Sequence, residues 1–205
     1  MGARPTPDDL AASGDYVPLG EFHNDRLMDF VVEYLVRQRS WVVWANYLMT
    51  GLAVGLAVGL AIGRGEGVLR TILAFVLAFV TLLVVLLPLH ELAHAFAYRL
   101  IGARDIRWGF STRMLAVWVT AHRFVASRRP FVLVALAPFL LNIPIAAAAI
   151  AWPQWSVYFL FLFAWHVHGE SGDFAILNFI WLHRDRGFWT YDDSETGVSY
   201  FYGAA

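Results

Sequence analysis

The sequence predicts an all-α membrane protein of about four transmembrane helices, with a short β-hairpin-like cytoplasmic loop between helices 2 and 3. Three observations predict it. Of the 205 residues, 59% are hydrophobic and the mean hydropathy is +0.56, more than a soluble domain of this size needs. Four apolar stretches are long enough to cross a hydrocarbon layer, which takes about 20 helical residues. Arginines gather in some connections and avoid others, as in chains threaded through a bilayer.

Residues 1–40 read as a cytoplasmic N-terminal segment. Residues 1–20 are polar, carry no apolar signal-peptide core and are expected to be disordered, so the first span must also direct insertion. Residues 25–38 set Leu27, Phe30, Val31, Tyr34 and Leu35 along one helical stripe, which Asn24 or Asp25 can cap. This stripe suits an interfacial helix on the cytoplasmic leaflet.

Residues 41–183 form the expected membrane core. Span one, about Trp41–Ile62, carries Gly51, Gly55 and Gly59, a spacing that lets helices approach closely, here within the monomer. Span two is about Thr71–Leu100, span three about Phe131–Ala151 and span four about Trp155–Leu182. Trp152-Pro153-Gln154 turns the chain between the last two. Trp41, Trp44, Trp152, Trp155 and Trp181 mark the interfaces. The loop after span two reads as two strand-like pieces, Asp105–Phe110 and Leu115–Ala121, split by Ser111-Thr112-Arg113. An edge strand there could hold an extended peptide. Residues 184–205, with Asp185, Asp192, Asp193 and Glu195, read as an acidic, solvated cytoplasmic tail.

Seven arginines lie between Arg99 and Arg129, none lies in the connection between spans three and four, and Arg184 and Arg186 follow span four. The positive-inside rule then puts both termini and the long loop in the cytoplasm. There is no cysteine, so disulfides and thiolate metal sites are excluded. A net charge of −1 argues against a nucleic-acid partner.

The chemistry is concentrated in His90-Glu91-Leu92-Ala93-His94 at the end of span two. Positions i and i+4 share a helix face, so both imidazoles can bind one metal ion. Glu91 sits about 100° around the helix, where a general base belongs. A catalytic zinc takes three protein ligands and keeps a fourth position open. Span four offers His166, His168, Glu170 and Asp173. His90 and His94 fall 19 and 23 residues after Thr71, and Asp173 falls 18 after Trp155. At about 1.5 Å per residue these depths agree within about 2–8 Å. Asp173 is the favoured third ligand, with Glu170 and His166 as alternatives. With Asp173, two neutral imidazoles, a carboxylate, Zn²⁺ and hydroxide sum to zero charge. Pro88 frees the carbonyl of Val84 and can kink the helix. Asn142, between Pro138 and Pro144, needs a buried partner, in the site or between helices.

These residues resemble a known group. Pro88-Leu-His90-Glu91-Leu-Ala-His94, Gly102-Ala103, Pro138 and His166-x-x-Gly169-x-x-Gly172-Asp173 resemble the zincin peptidase family of small prokaryotic membrane proteins. The arrangement is also similar to the site-2-protease class of intramembrane metalloproteases, where an Asp on a later span completes the zinc site. The resemblance covers about residues 70–190. It departs from the site-2-protease pattern at the usual Asp-Gly signature, since Phe174 follows Asp173. The resemblance implies hydrolysis of a peptide bond in or near the membrane. The expected function is therefore a zinc metalloprotease acting on a membrane protein or peptide within the lipid bilayer. His90, His94 and Asp173 hold Zn²⁺, Glu91 is the general base, and His166 steadies the oxyanion or orients a ligand. The rival readings are a non-catalytic metal-binding membrane protein or pseudoprotease, and a His-rich di-iron oxidase. A pure binding site needs no carboxylate beside its first His, and no second His-rich box supports the oxidase.

Overall fold

The computed structural model describes residues 4–111 and 116–205. Among the described residues the chain is mostly helical, and three helices are long and apolar enough to cross a membrane: Trp41–Gly63, Val68–Leu100 and Arg128–Ala151. This is a membrane protein. The first of these is α3, Trp41–Gly63, after α1, Pro7–Ala12, and α2, Leu27–Val31, which runs on as a π-helical stretch, Val32–Arg37. The second is α4, Val68–Thr81, joined through the π-helical Leu82–Leu86 to α5, Leu87–Leu100. The third is α6, Arg128–Leu136, joined through a 3₁₀ turn to α7, Asn142–Ala151. The π-helical stretch beside Pro88 has a direct cause. Proline cannot donate to the carbonyl four residues back, and a wider turn absorbs the mismatch without breaking the helix.

The fourth expected span is divided. It comprises α8, Ser156–Gly169, and α9, Ser171–Leu182, neither long enough to cross alone. The break falls at Glu170, which leaves helical geometry at φ −74°, ψ 9°. In an unbroken helix the Val167 carbonyl would accept the N–H of Ser171. Here Asn46 of α3 donates its side-chain N–H to that carbonyl at 2.9 Å. The carbonyl released by the break is therefore satisfied within the apolar bundle, as a membrane core demands.

Helix α8 lies at the centre of the bundle, packed by α3, α4 and α7. Toward its C-terminal end, α3 turns Ala57 and Ala61 inward, where they join Ala78, Leu82 and Phe161 in one apolar cluster. A Cβ added at Gly51, Gly55 or Gly59 would meet open space. The expected packing of the glycine stripe within the monomer is thus corrected. The alanine stripe has the same i, i+4 spacing on another face of the helix and makes the contact instead.

The all-α expectation is also corrected. Among the described residues, strands β1, Tyr16–His23, β2, Ile106–Ser111, β3, Ala116–Ala121, β4, Ala126–Ser127, β5, Trp189–Asp193, and β6, Val198–Ala204, form two antiparallel sheets. The larger sheet has the order β1-β6-β5-β4. It takes one strand from the segment expected to be disordered and two from the segment expected to be a solvated tail. The physical reason is apolar burial. Phe201 on β6 and Phe22 on β1 pack against Phe30 of α2 and Phe179 of α9. On the other face Tyr191 stacks on Tyr200 and Tyr202. Gly197, at φ 68°, turns the β5–β6 hairpin. Helix α1 starts with a capping box, in which Thr6 and Asp9 satisfy each other's backbone N–H groups. Its Leu10 is buried with Val125 and Tyr191.

The expected stripe on residues 25–38 does form, but it faces the protein. Phe30, Val31 and Leu35 are buried, while Met28, Val32 and Val36 are the exposed apolar side chains. The expected hairpin is β2–β3, running from Ile106 opposite Ala121 to Ser111 opposite Ala116. Its expected turn residues Thr112 and Arg113, and Leu115, lie outside the described residues.

Candidate metal centre

Helix α5 presents His90 and His94 one turn apart, and α9 brings Asp173 to them from the first turn after the break. His90 Nε2 lies 3.2 Å from Asp173 Oδ2. His94 Nε2 lies 3.2 Å from Asp173 Oδ1 and 3.2 Å from His90 Nε2. Ligands held at about 2.1 Å from a tetrahedral zinc stand about 3.4 Å apart, so these three edges fit that ion. The donor chemistry fits as well. His94 Nδ1 faces the Val134 carbonyl at 2.9 Å. A carbonyl only accepts, so Nδ1 carries the proton and Nε2 of the neutral ring offers a lone pair. That lone pair points at a carboxylate oxygen, an arrangement that calls for a cation between them.

Glu91 lies beside this triad rather than in it. It is buried, its Oε1 is 4.0 Å from His90 Nε2, and its carboxylate faces the backbone N–H of Val119 on β3. His166 of α8, Glu170 at the break and Asn142 of α7 gather beside the triad. Asn142 Nδ2 donates to both Glu170 oxygens, at 3.1 and 3.2 Å. Its Oδ1 lies 2.9 Å from His166 Nδ1. His166 and Glu170 are buried, and the ring centroids of His90 and His166 are 5.7 Å apart. One ligand atom each from His90, His166 and Glu170 also lie within 4.8 Å of one another, a looser set than the first triad. His168 is exposed and lines the groove described next.

The centre opens into a cavity of about 560 Å³. Helix α2 and its π-helical extension form one wall, through Leu27, Met28, Val31, Val32, Leu35 and Val36. Strand β3, from Val117 to Thr120, forms the facing wall. His90, Glu91, His94 and Asp173 also line it. Composition did not reveal one part of this wall. Asp192 of β5 accepts from Ser199 Oγ at 2.6 Å and from the Tyr98 hydroxyl at 3.3 Å. Tyr98 stands one turn beyond His94, so this contact ties the C-terminal sheet to the helix that carries the histidines. The available signal was the spacing of His90, His94 and Tyr98 on one helix face. Burial holds the Asp192 carboxyl above the ordinary carboxylate range, although the Ser199 and Tyr98 hydroxyls pull it back.

The fold and the site together define a class: a membrane protein whose candidate metal centre groups two histidines and one aspartate beside an apolar groove. Over residues 83–186, slightly more than half of the chain, the sequence matches the model of the family Putative zincin peptidase. The chain belongs to that family, which makes it a metallopeptidase by descent and implies zinc as its cofactor. No curated protein and no solved structure matches the chain.

Proposed function

We propose that this chain is a membrane-embedded zinc metalloprotease of the site-2-protease type, cutting peptide bonds in or near the bilayer. The observation that carries the reading is the closed triangle of His90, His94 and Asp173 with Glu91 beside it. Zinc held there supplies a Lewis acid that activates water and polarises the scissile carbonyl. Every further role belongs to the chain's own groups. Glu91, just outside the triangle, removes the proton from the attacking water and returns it to the leaving amine. The Val134 carbonyl keeps His94 in the tautomer that offers Nε2. The apolar walls of the groove exclude water around a bound chain. The Val117–Thr120 backbone of β3 offers an extended substrate a strand to pair with. Such a substrate is a membrane protein or peptide reaching the groove from the lipid bilayer. The arginine distribution supports a cytoplasmic location for the groove side and for both chain ends. The exposed apolar line Met28, Val32 and Val36 supports an interfacial position for α2.

The test is elemental analysis of the purified full chain, wild type beside Asp173→Ala. About one zinc per wild-type chain, with clear loss in the variant, is the expected result. Equal zinc in both proteins refutes Asp173 as a ligand. Absence of metal from both would leave a pseudoprotease.

A further inference from the structure

We infer that Asp192 is a specificity-determining residue, and that the groove takes peptides carrying an arginine or lysine within about two residues of the bond presented to the metal centre. The inference rests on the metalloprotease reading and names the substrate class for the same groove. Glu91 faces the backbone N–H of Val119 on β3, and Asp192 faces that of Ala121, two residues along the same strand. Strand residues two apart send their N–H groups to the same side, about 6–7 Å from each other. Strand β2 takes the other side of β3. Glu91 and Asp192 therefore stand in line along the free edge of β3. The first is beside the metal triangle, the second about two residues further on, and both line the groove.

Asp192 has donors around it but no cation. The Ser199 and Tyr98 hydroxyls donate to it at 2.6 and 3.3 Å. Arg123, whose backbone N–H meets the Asp192 carbonyl, turns its guanidinium to Asp8 and Asp193 instead. The chain has no lysine, and among the described residues no arginine lines the groove. The carboxylates that do line it are Glu91, Asp173 and Asp192. The first two balance the charge of a zinc ion, which leaves Asp192 in excess. A half-buried carboxylate held by neutral donors alone bears a desolvation cost, seen in its raised proton affinity. An asparagine Oδ1 could accept from the same hydroxyls without a net charge. The tie between the sheet and α5 therefore does not by itself call for an acid. A guanidinium or ammonium brought by the substrate supplies the missing charge, and its methylene stem suits the apolar walls.

The experiment uses synthetic Leu/Ala peptides in detergent, each with one guest residue, Arg, Gln or Glu, stepped through the sequence. Binding is read on the zinc-loaded full chain carrying Glu91→Gln, and again with Asp192→Asn added. The expected result is Arg over Gln by about 10–100-fold, the effect of a charge-assisted hydrogen bond, with Glu weakest. With Asp192→Asn the preference should shrink to under about threefold. Zinc-loaded wild type should cut Arg peptides within about two residues of the guest. A lysine guest with a carbodiimide gives a reading that needs no substitution at Asp192: the amide crosslink should map to that residue. Equal binding of Arg and Gln peptides, a preference that survives Asp192→Asn, or a crosslink only at other carboxylates would overturn the inference. Cleavage by wild type without regard to the guest would do the same and leave the metalloprotease reading intact. An Arg preference that depends on Asp192, with no peptide cut by zinc-loaded wild type, would overturn that reading instead.

Discussion

The substitution Phe201→Ala tests whether residues 184–205 belong to the folded core. Phe201 is 1% exposed on β6. Its ring centroid lies 4.8 Å from that of Phe179, 5.9 Å from those of Phe22 and Phe188, and 6.0 Å from that of Phe30. Truncating a core phenylalanine costs about 3–5 kcal/mol. The four aromatic pairs overlap with that burial and do not add to it in full. About 4 kcal/mol corresponds to roughly a thousandfold rise in the open population of the sheet. Native-state hydrogen exchange reads this directly. The amides of β1 and β6, paired from Tyr16 opposite Ala204 to His23 opposite Val198, should exchange about 10²–10⁴ times faster in the variant. A solvated tail would show no protection in either protein. Unprotected wild-type amides, or a change under about threefold, would refute the packing argument.

Three other outcomes are expected. Glu91→Gln should keep zinc at the wild-type level, since Glu91 lies outside the ligand triangle, while peptide cleavage falls about 10²–10⁴-fold; full activity would sink the general-base role. A methyl added by Gly109→Ala would overlap the Trp118 indole that lies across the glycine. That ring must move, so Trp fluorescence should shift and the groove wall should loosen; an unchanged spectrum argues against the described β2–β3 pairing. Asp192 holds its proton more firmly folded than unfolded. Stability should therefore decline as pH rises from the ordinary carboxylate value through the raised one, then level off. Asp192→Asn should remove that slope, and parallel denaturation profiles for the two proteins would count against it.

The site was easier to read in the sequence than the sheet. His90, Glu91 and His94 carry a fixed helical spacing, and Asp173 falls at a matching depth, so length alone could bring them together. Asn142 was readable as a buried amide in need of partners, although its partners, Glu170 and His166, were not. Span four was harder because its break depends on Asn46, a residue far away in sequence. The sheet was obscured by charge. Asp192, Asp193 and Glu195 suggested a tail, yet Asp192 is half-buried and hydrogen-bonded, and Asp193 lies beside the hairpin turn. The alternation Tyr200-Phe201-Tyr202 was the strand signal. It opposes one aromatic face to another, and only the partner strands show that both faces are covered. Likewise Thr6-Pro7-Asp8-Asp9 held a capping box that the polar composition concealed.

The pairing of β1 with β6 has a consequence for the order of events during synthesis. One wall of the groove draws on Phe22, Asp192, Ser199 and Phe201. The histidines and Asp173 leave the ribosome well before residues 198–204 do. Until that last strand docks, the β1 edge is unpaired and Tyr98 has no carboxylate to meet. A nascent or truncated chain can thus carry His90, His94 and Asp173 and still lack a finished cleft. On the proposed metalloprotease reading, the cleft that would hold a substrate is complete only once the strand that closes its wall has been made.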